Sequence, residues 1–338
     1  MQFARVVSKR LFFLVFVVAG VSLITFTVSH LIPGDPARLI AGDRASAETV
    51  EAMREQLGLN RPLPEQYAIY VSDLFKGDLG TSIRTGRPVL EDIKAFFPAT
   101  IELGAVALLI ATLIGVPFGV LSAIYRDSWI DQLCRSFAVI GISTPAFWLG
   151  LILLFVLYGE LGWFPAGGRI SQSLGAPPTI TGFYLVDSLL EGSLPRFFSA
   201  LGHIALPAIT LGVVQLGIVS RQIRSAMLET MREDYVRTAR ANGLPAWRVV
   251  LRHGLPNALI PSVTVLGLAF GDLLYGAVLT ETVFSWPGMG AYVVASIQAL
   301  DFPAIMGFTV VVSIAYVLVN LVVDLVYLAL DPRIREVG

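Results

Sequence analysis

Six stretches of this chain are apolar for long enough to cross a membrane, and that feature removes most folds from consideration. Crossing about 30 Å of hydrocarbon takes about 20 residues at 1.5 Å each. Runs of that length fall at about 11–32, 100–125, 134–158, 200–221, 258–284 and 304–330. A backbone in lipid has no water to bond, so continuous runs of this length predict helices. The expected fold class is all-α, a polytopic membrane protein of six transmembrane helices. Composition agrees, because 55% hydrophobic and 14% charged residues, with a mean hydropathy of +0.73, are too apolar for a water-soluble chain of 338 residues. The fourth run is the least regular, since Pro207 and Gln215 interrupt it. The first follows Arg5, Lys9 and Arg10 as a secretory leader would, but its apolar core is longer than a leader's and no A-x-A site follows directly after it. It reads as a retained anchor.

Lysine and arginine set the expected orientation. With the N-terminus in the cytoplasm, the cytoplasmic side holds fourteen of them, including Arg126, Arg135, Arg221, Arg224, Arg232, Arg237, Arg240, Arg248, Arg252, Arg333 and Arg335. The shorter outer loops hold two, Arg169 and Arg196, while eight more fall in a long first loop that counts for little. Both termini are expected in the cytoplasm. A net charge of −1 offers no basic footprint for nucleic acid. The single Cys134 excludes an intrachain disulfide, and His30, His203 and His253 have no metal-ligand spacing.

The long outer loop, about 33–99, reads as a small folded appendage. Ser46 can cap a helix in which Val50, Met53 and Leu57 share a face and Gly58 provides the stop. Its carboxylates alternate with arginines as on a solvated surface, so no chemistry is assigned there.

The most polar interval between two spans is "DYVRTARANGLPAWRVVLRHGLP", residues 234–256, with arginines at 237, 240, 248 and 252 and no lysine. Residues about 221–241 suit a helix leaving the membrane, which Asn242-Gly243 would end in left-handed backbone. Pro245 then fits the first turn of a short helix with an apolar face of Trp247, Val250 and Leu251, stopped by Gly254 and Pro256. A plain basic loop explains the arginines but neither the Gly-Leu-Pro break nor Trp247. A DNA-reading helix-turn-helix shares the outline but is tethered to two spans. A docking element, gripped by a cytoplasmic partner through an exposed aromatic and arginines, accounts for all of these features.

This segment resembles the cytoplasmic "EAA" loop of ABC-importer permeases, which runs Glu-Ala-Ala, three residues, Gly, nine residues, Ile, one residue, Leu-Pro. Ala239, Gly243, Leu255 and Pro256 match, while Arg237, Thr238 and His253 stand where the pattern has Glu, Ala and Ile. "DYVRTARANGLP" is the form that the loop takes in the dipeptide, oligopeptide and nickel subfamily. "HLIPGDP", "LGLNRPLPEQY", "GDLGTSI", "PATIEL", "GISTPAFWLG", "ETVFSWPGMG" and "ALDPRIR" look like the same subfamily's first permease subunit, in order along nearly the whole chain. The resemblance implies a type I ABC-importer permease fold, with residues 1–99 as tail, first helix and outer loop, and 100–338 as the core with a coupling loop at about 222–257. It implies that Arg237, Thr238, Ala239, Arg240, Asn242, Gly243, Leu244, Pro245, Trp247, Leu255 and Pro256 set a coupling helix into an ATPase. Implied partners are a second homologous permease, two cytoplasmic ABC ATPases, an extracytoplasmic solute-binding protein and membrane lipid.

The chain has no phosphate-binding loop of its own. Its only lysines are Lys9, Lys76 and Lys94, and none follows a glycine as G-x-x-x-x-G-K-[ST] requires. No cofactor is expected on this chain, and ATP and Mg²⁺ belong to partner subunits. Neither a G-x-S-x-G elbow nor H-E-x-x-H occurs, so no catalytic or metal residue is assigned.

Ionisable groups at membrane depth cost at least about 2.5 kcal/mol to insert and so mark functional or paired positions. Asp272 lies near the middle of the fifth span, beside Gly267 and Gly271 at a spacing that allows close helix approach. Either it faces a translocation path with Gly271 and Tyr275 and meets a cationic solute group, or it bonds a hydroxyl or Asn inside the bundle. Glu281 and Asp324 are expected to be structural, Glu102 to favour the first turn of the second span through the helix dipole, and Pro117 and Pro145 to kink their helices. "SWPGMG" suggests a helix dipping into the outer mouth. Two functions follow: an ATP-driven permease for peptides, nickel chelates or glutathione, or an ion-coupled secondary transporter using Asp272.

Overall fold

The computed structural model describes residues 2–31, 36–42, 44–56 and 58–330. Five long apolar helices cross the bundle: α1 (Gln2–Leu31), α5 (Val89–Ile124), α9 (Leu194–Thr230), α12 (Leu255–Val283) and α14 (Phe302–Leu330). The third expected span is broken. It consists of α6 (Trp129–Ser143) and α7 (Ala146–Leu153), the latter continued in π-helical geometry through Leu154–Glu160, and the two halves meet at 102°. Pro145 denies α geometry to the residue before it, and Thr144 is extended (φ −86°, ψ 123°) while its hydroxyl bonds Ile140 O at 2.7 Å. The sequence predicts a kink here, and the chain makes an elbow.

Short helices decorate the ends. The long first loop folds as α2 (Pro36–Ala41), α3 (Ala47–Gln56) and α4 (Leu63–Phe75). Ser46 caps α3 as expected, its Oγ accepting from Thr49 N at 3.2 Å, and Gly58 follows the helix at φ +67°. Leu57 lies outside the described residues, as do residues 32–35 of "HLIPGDP" and 331–335 of "ALDPRIR". Further on come α8 (Tyr184–Leu190), α10 (Asp234–Ala241), α11 (Ala246–Arg248) and α13 (Met289–Gln298). Among the described residues no strand forms, and one isolated bridge joins Thr81 to Pro88.

The least regular of the six runs proves to be the central helix. α9 packs against α5, α6, α7, α8 and α12, whereas α1 lies along α14 at the periphery. Glycine makes the central contacts close. A Cβ on Gly119 of α5 would stand 2.6 Å from Ile223 Cβ and 2.7 Å from Ser220 O, and one on Gly217 of α9 would stand 2.5 Å from Ala138 O of α6. Gly267 and Gly271 bring α12 onto Val323 and Tyr316 of α14, as their spacing predicts.

The end of the bundle that carries α13 is stitched by buried polar groups. Glu281 accepts from Thr100 Oγ1 at 2.6 Å and Ala291 N at 3.0 Å, and Trp286 Nε1 donates to Ala99 O at 3.0 Å. These bonds fold "SWPGMG" and α13 over α5, with Glu281 structural as expected. Asp301 accepts from Ser82 Oγ at 2.5 Å and Arg84 N at 3.1 Å, fixing "GDLGTSI" to the start of α14. Asp324 pairs with Arg10 at 2.6 Å, joining α14 to α1. Glu102 does not favour a helix end. α5 begins at Val89, so Glu102 lies well inside it, buried, and pairs with Arg169 at 2.6 Å.

Because the Gly119 contact is backbone against backbone, Gly119→Ala is expected to destabilise the bundle by ~1–3 kcal/mol. Gly20→Ala, which meets open space, is the control. Thermal unfolding of both variants in detergent checks this, with only Gly119→Ala lowering the midpoint.

Candidate functional site

The loop between the fourth and fifth spans is folded and anchored. α9 ends at Thr230, a turn intervenes, and α10 restarts at Asp234, so the single helix expected over 221–241 is two. Within α10, Arg237 pairs with Asp234 at 3.0 Å and Thr238 Oγ1 bonds Asp234 O at 3.0 Å. Gly243 ends it at φ +75°; a Cβ there would touch nothing within 4 Å, so the demand is conformational. Pro245 O then accepts from Arg248 N and Val249 N at 2.9 and 3.1 Å, starting α11.

Gly254 and Pro256 do not stop the second helix. The helical path runs from Ala246 through a π-helical stretch, Val249–Gly254, directly into α12. Proline lacks the N–H that would reach back one α-turn and its ring crowds that carbonyl, and the wider π turn relieves the conflict.

One side of this element is seated and the other is bare. Val236, Ala239 and Val249 are buried with Met231 and Leu244, while Val250 joins Ile223, Met227 and Ala258 beneath the bundle. Trp247 is 61% exposed and Leu251 53%, with Tyr235, Arg237, Thr238, Arg240, Asn242, Pro245, Arg252 and Pro256 also exposed. Leu255 is half-buried. Val250 therefore does not share a face with Trp247 and Leu251, which lie one turn apart on the outward side. The Arg248 guanidinium stands 5.2 Å from the Trp247 ring.

A buried carboxylate ties this element's root to the bundle, and the sequence reading missed it. Asp131, fully buried in the first turn of α6, accepts from Arg224 Nε and Nη2 at 3.0 and 2.9 Å, from Asp127 N at 3.0 Å and from Ser122 Oγ. Arg135 adds an ion contact at 3.3 Å. The knot joins the end of α5, the start of α6 and α9 two turns before the loop. Charge counting makes Arg224 only a vote for topology; the available signal is Asp131, an acid just before the third apolar run.

At the other end, the Glu102–Arg169 pair holds the loop after α7. Arg169 donates to Gly182 O at 2.8 Å, its guanidinium lies 3.6 Å over the Tyr184 ring, and Glu102 accepts from Leu185 N at 2.8 Å. Asp187 in the same loop accepts from Thr181 N, Thr181 Oγ1 and Gly182 N at 2.8, 2.7 and 2.9 Å. Burial pushes its carboxyl up, but these bonds outweigh it and hold the group below the usual aspartate range.

Asp272 behaves unlike the other carboxylates of the bundle. It is exposed on α12 between buried Gly271 and Leu273, and among the described residues no hydrogen bond or ion pair reaches it. The expected alternative of a hydroxyl or Asn partner inside the bundle is not what the chain forms. The side chain of Tyr275 lies outside the described residues. Among the described residues, no cluster of His, Cys, Asp and Glu could hold a metal.

Comparison with known proteins places this architecture. The model of the family described as binding-protein-dependent transport system inner membrane component matches residues 115–336, and that of its N-terminal region matches 3–104. The chain belongs to this family. It is therefore a permease subunit of an ABC transporter in the inner membrane, not an ATPase. The permease is 66% identical over 338 residues to the probable D,D-dipeptide transport system permease protein DdpB of Escherichia coli (strain K12), covering 100% of this chain and 99% of that one. It is 44% identical to the dipeptide transport system permease protein DppB of Alkalihalophilus pseudofirmus, covering 97% and 98%. Its fold is similar to a chain of the inward-facing MetNI methionine ABC transporter, with a TM-score of 0.51, 16% identity and coverage of 69% of this chain and 93% of that one.

Two outcomes test the geometry. Arg224→Ala leaves buried Asp131 with Arg135 as its one cationic partner and should cost about 3 kcal/mol, read as a lowered denaturation midpoint in detergent. Because Asp187 is held below its unfolded value, its contribution is complete above that value and is lost as pH falls through the folded one. Asp187→Asn should therefore flatten the acid limb of a stability-against-pH curve and leave its neutral region lower than wild type.

Proposed function

We propose that this permease carries dipeptides inward as one of two similar permease subunits. Two ATPases dock at its arginine-rich end, and an extracytoplasmic solute-binding protein delivers solute at the other. In this reading both termini and the α10–α11 loop are cytoplasmic, supported by fourteen basic residues against two in the short outer loops. Residues 1–99 form the peripheral helix and outer appendage, and 100–338 form the transport core. ATP and Mg²⁺ act in the partner subunits, and this chain binds no cofactor.

The observation that carries the docking role is the two-sided build of 234–256. Exposed Trp247 and Leu251, ringed by arginines, stand on a buried apolar base, which is the anatomy of a hot spot. A loop needed only to connect two spans has no use for such a base. Closure of the ATPases would push this element as a unit, and the Asp131–Arg224 knot would pass the motion to α6 and its elbow. Asp272 and Tyr275 border the translocation path, whereas Gly271, expected beside them, is taken up by the contact with Tyr316 of α14. Dipeptides are favoured as solute by the D,D-dipeptide relative, which matches end to end at 66% identity, against 40% for a glutathione transport permease of Escherichia coli O6:H1.

The test is purification of the tagged chain from host membranes, wild type beside Trp247→Asp and Gly243→Pro. Wild type should bring down a second permease and an ATPase. Trp247→Asp, at an exposed position, should keep the second permease and lose the ATPase at least about tenfold, the loss of one interface anchor. Retention of the ATPase by both variants rejects the docking role.

A further inference from the structure

We infer that Asp272 is the group in the membrane that receives the α-ammonium of the peptide as it crosses, a recognition step separate from capture by the binding protein. The inference rests on the transport reading above. Every other carboxylate discussed in the bundle is spoken for: Asp131 by Arg224, Glu102 by Arg169, Glu281 by Thr100 and Ala291 N, and Asp324 by Arg10. Asp272 alone among these has no partner among the described residues and is exposed.

Its depth follows from the packing. A Cβ on Gly104 of α5 would lie 3.6 Å from Leu273 Cβ, the neighbour of Asp272; one turn on, Ala107 O would lie 3.0 Å from a Cβ on Gly212 of α9; and Val213 O would lie 2.6 Å from a Cβ on Gly141 of α6. Asp272 is thus at the level of the α6–α7 elbow, where the third span abandons helix geometry halfway across. Non-helical backbone at that depth is tolerated where it is buried in protein or lines a watered path, and a carboxylate facing lipid there is rare.

The face that carries Asp272 leads outward. Leu268, Asp272, Leu279 and Val283 recur at intervals of four, seven and four residues, one stripe along α12. Leu268 and Leu279 are exposed, and Val283 lines a cavity of about 660 Å³ with Leu154, Phe155, Tyr158, Gly168 and Ser285 at the outer end. From Val283 to Asp272 is about 16 Å along the helix. The stripe is apolar except for one anionic stop, which suits a small solute bearing a positive group. A free peptide amine, with a pKa of about 7.7–8.0, is largely protonated at neutral pH. One unassisted carboxylate also holds such a group weakly enough to release it, as conduction requires.

The experiment uses the assembled transporter in proteoliposomes, with D-alanyl-D-alanine delivered by the solute-binding protein. Asp272→Asn should lower uptake at limiting peptide roughly tenfold, the loss of one charge-assisted contact. Asp272→Glu should retain most of it, and assembly should be unchanged in both. In parallel, Asp272→Cys should react with a water-soluble cationic thiol reagent and be protected by peptide, the native Cys134 being buried. Wild-type uptake by Asp272→Asn, equal loss in both charge variants, or dissociation of the second permease from Asp272→Asn would each overturn the inference, the last by making Asp272 an ion-pair partner between subunits. If the wild-type assembly imports no peptide under ATP, the transport reading itself fails. The thiol labelling then decides by itself whether Asp272 borders a water-filled path, and an unreactive Asp272→Cys overturns that too.

Discussion

The close approach of α9 to α5 and α6, backbone against backbone at Gly119, Gly141 and Gly217, is the contact from which the rest of the permease follows. In lipid there is no hydrophobic drive between helices, so association depends on dense packing and on polar groups that find each other. With α9 this near α5 and α6, Arg224 can reach Asp131 and Ser122 across both interfaces. That knot fixes the last turns of α9, and α9 in turn fixes where α10 begins. The loop is therefore a rigid extension of the bundle's central helix.

Rigidity at one end is balanced by a break at the other. α6 follows α9 halfway across the membrane and then turns through 102° into α7, which continues in π-helical geometry. Such departures from α geometry are costly in hydrocarbon and persist where protein or water satisfies the freed groups. A push on the knotted end of α6 reaches this elbow before it reaches any other joint. The elbow and Asp272 share one level, so the proposed route from docking loop to solute needs no separate relay.

The sequence made the spans, the outer helix capped by Ser46 and the left-handed stop at Gly243 legible because each rests on local chemistry: apolar length, a capping hydroxyl, a residue without Cβ. It also placed Glu281 and Asp324 as structural. It misjudged Glu102, since the start of a helix that extends past the bilayer cannot be read from apolar length. It took Gly254 and Pro256 for stops, because a π turn that accommodates proline leaves no local mark. The Asp131–Arg224 knot joins residues 93 apart in sequence, and no periodicity within one helix can reveal a pair of that kind. Val250 was assigned to the outward face on α-helical spacing, and the π-helical stretch changes that spacing.

The central claim is that the outward face of α10–α11 meets an ATPase while its inward face never leaves the bundle. A photoreactive side chain placed in turn at Trp247, Leu251 and Val249, with irradiation of intact membranes before and after ATP is added, measures this most directly. The account predicts crosslinks to an ATP-hydrolysing subunit from 247 and 251 in both conditions, and crosslinks only within the permease from 249. Crosslinks from 247 and 251 to lipid alone, or to the ATPase from 249, would contradict it.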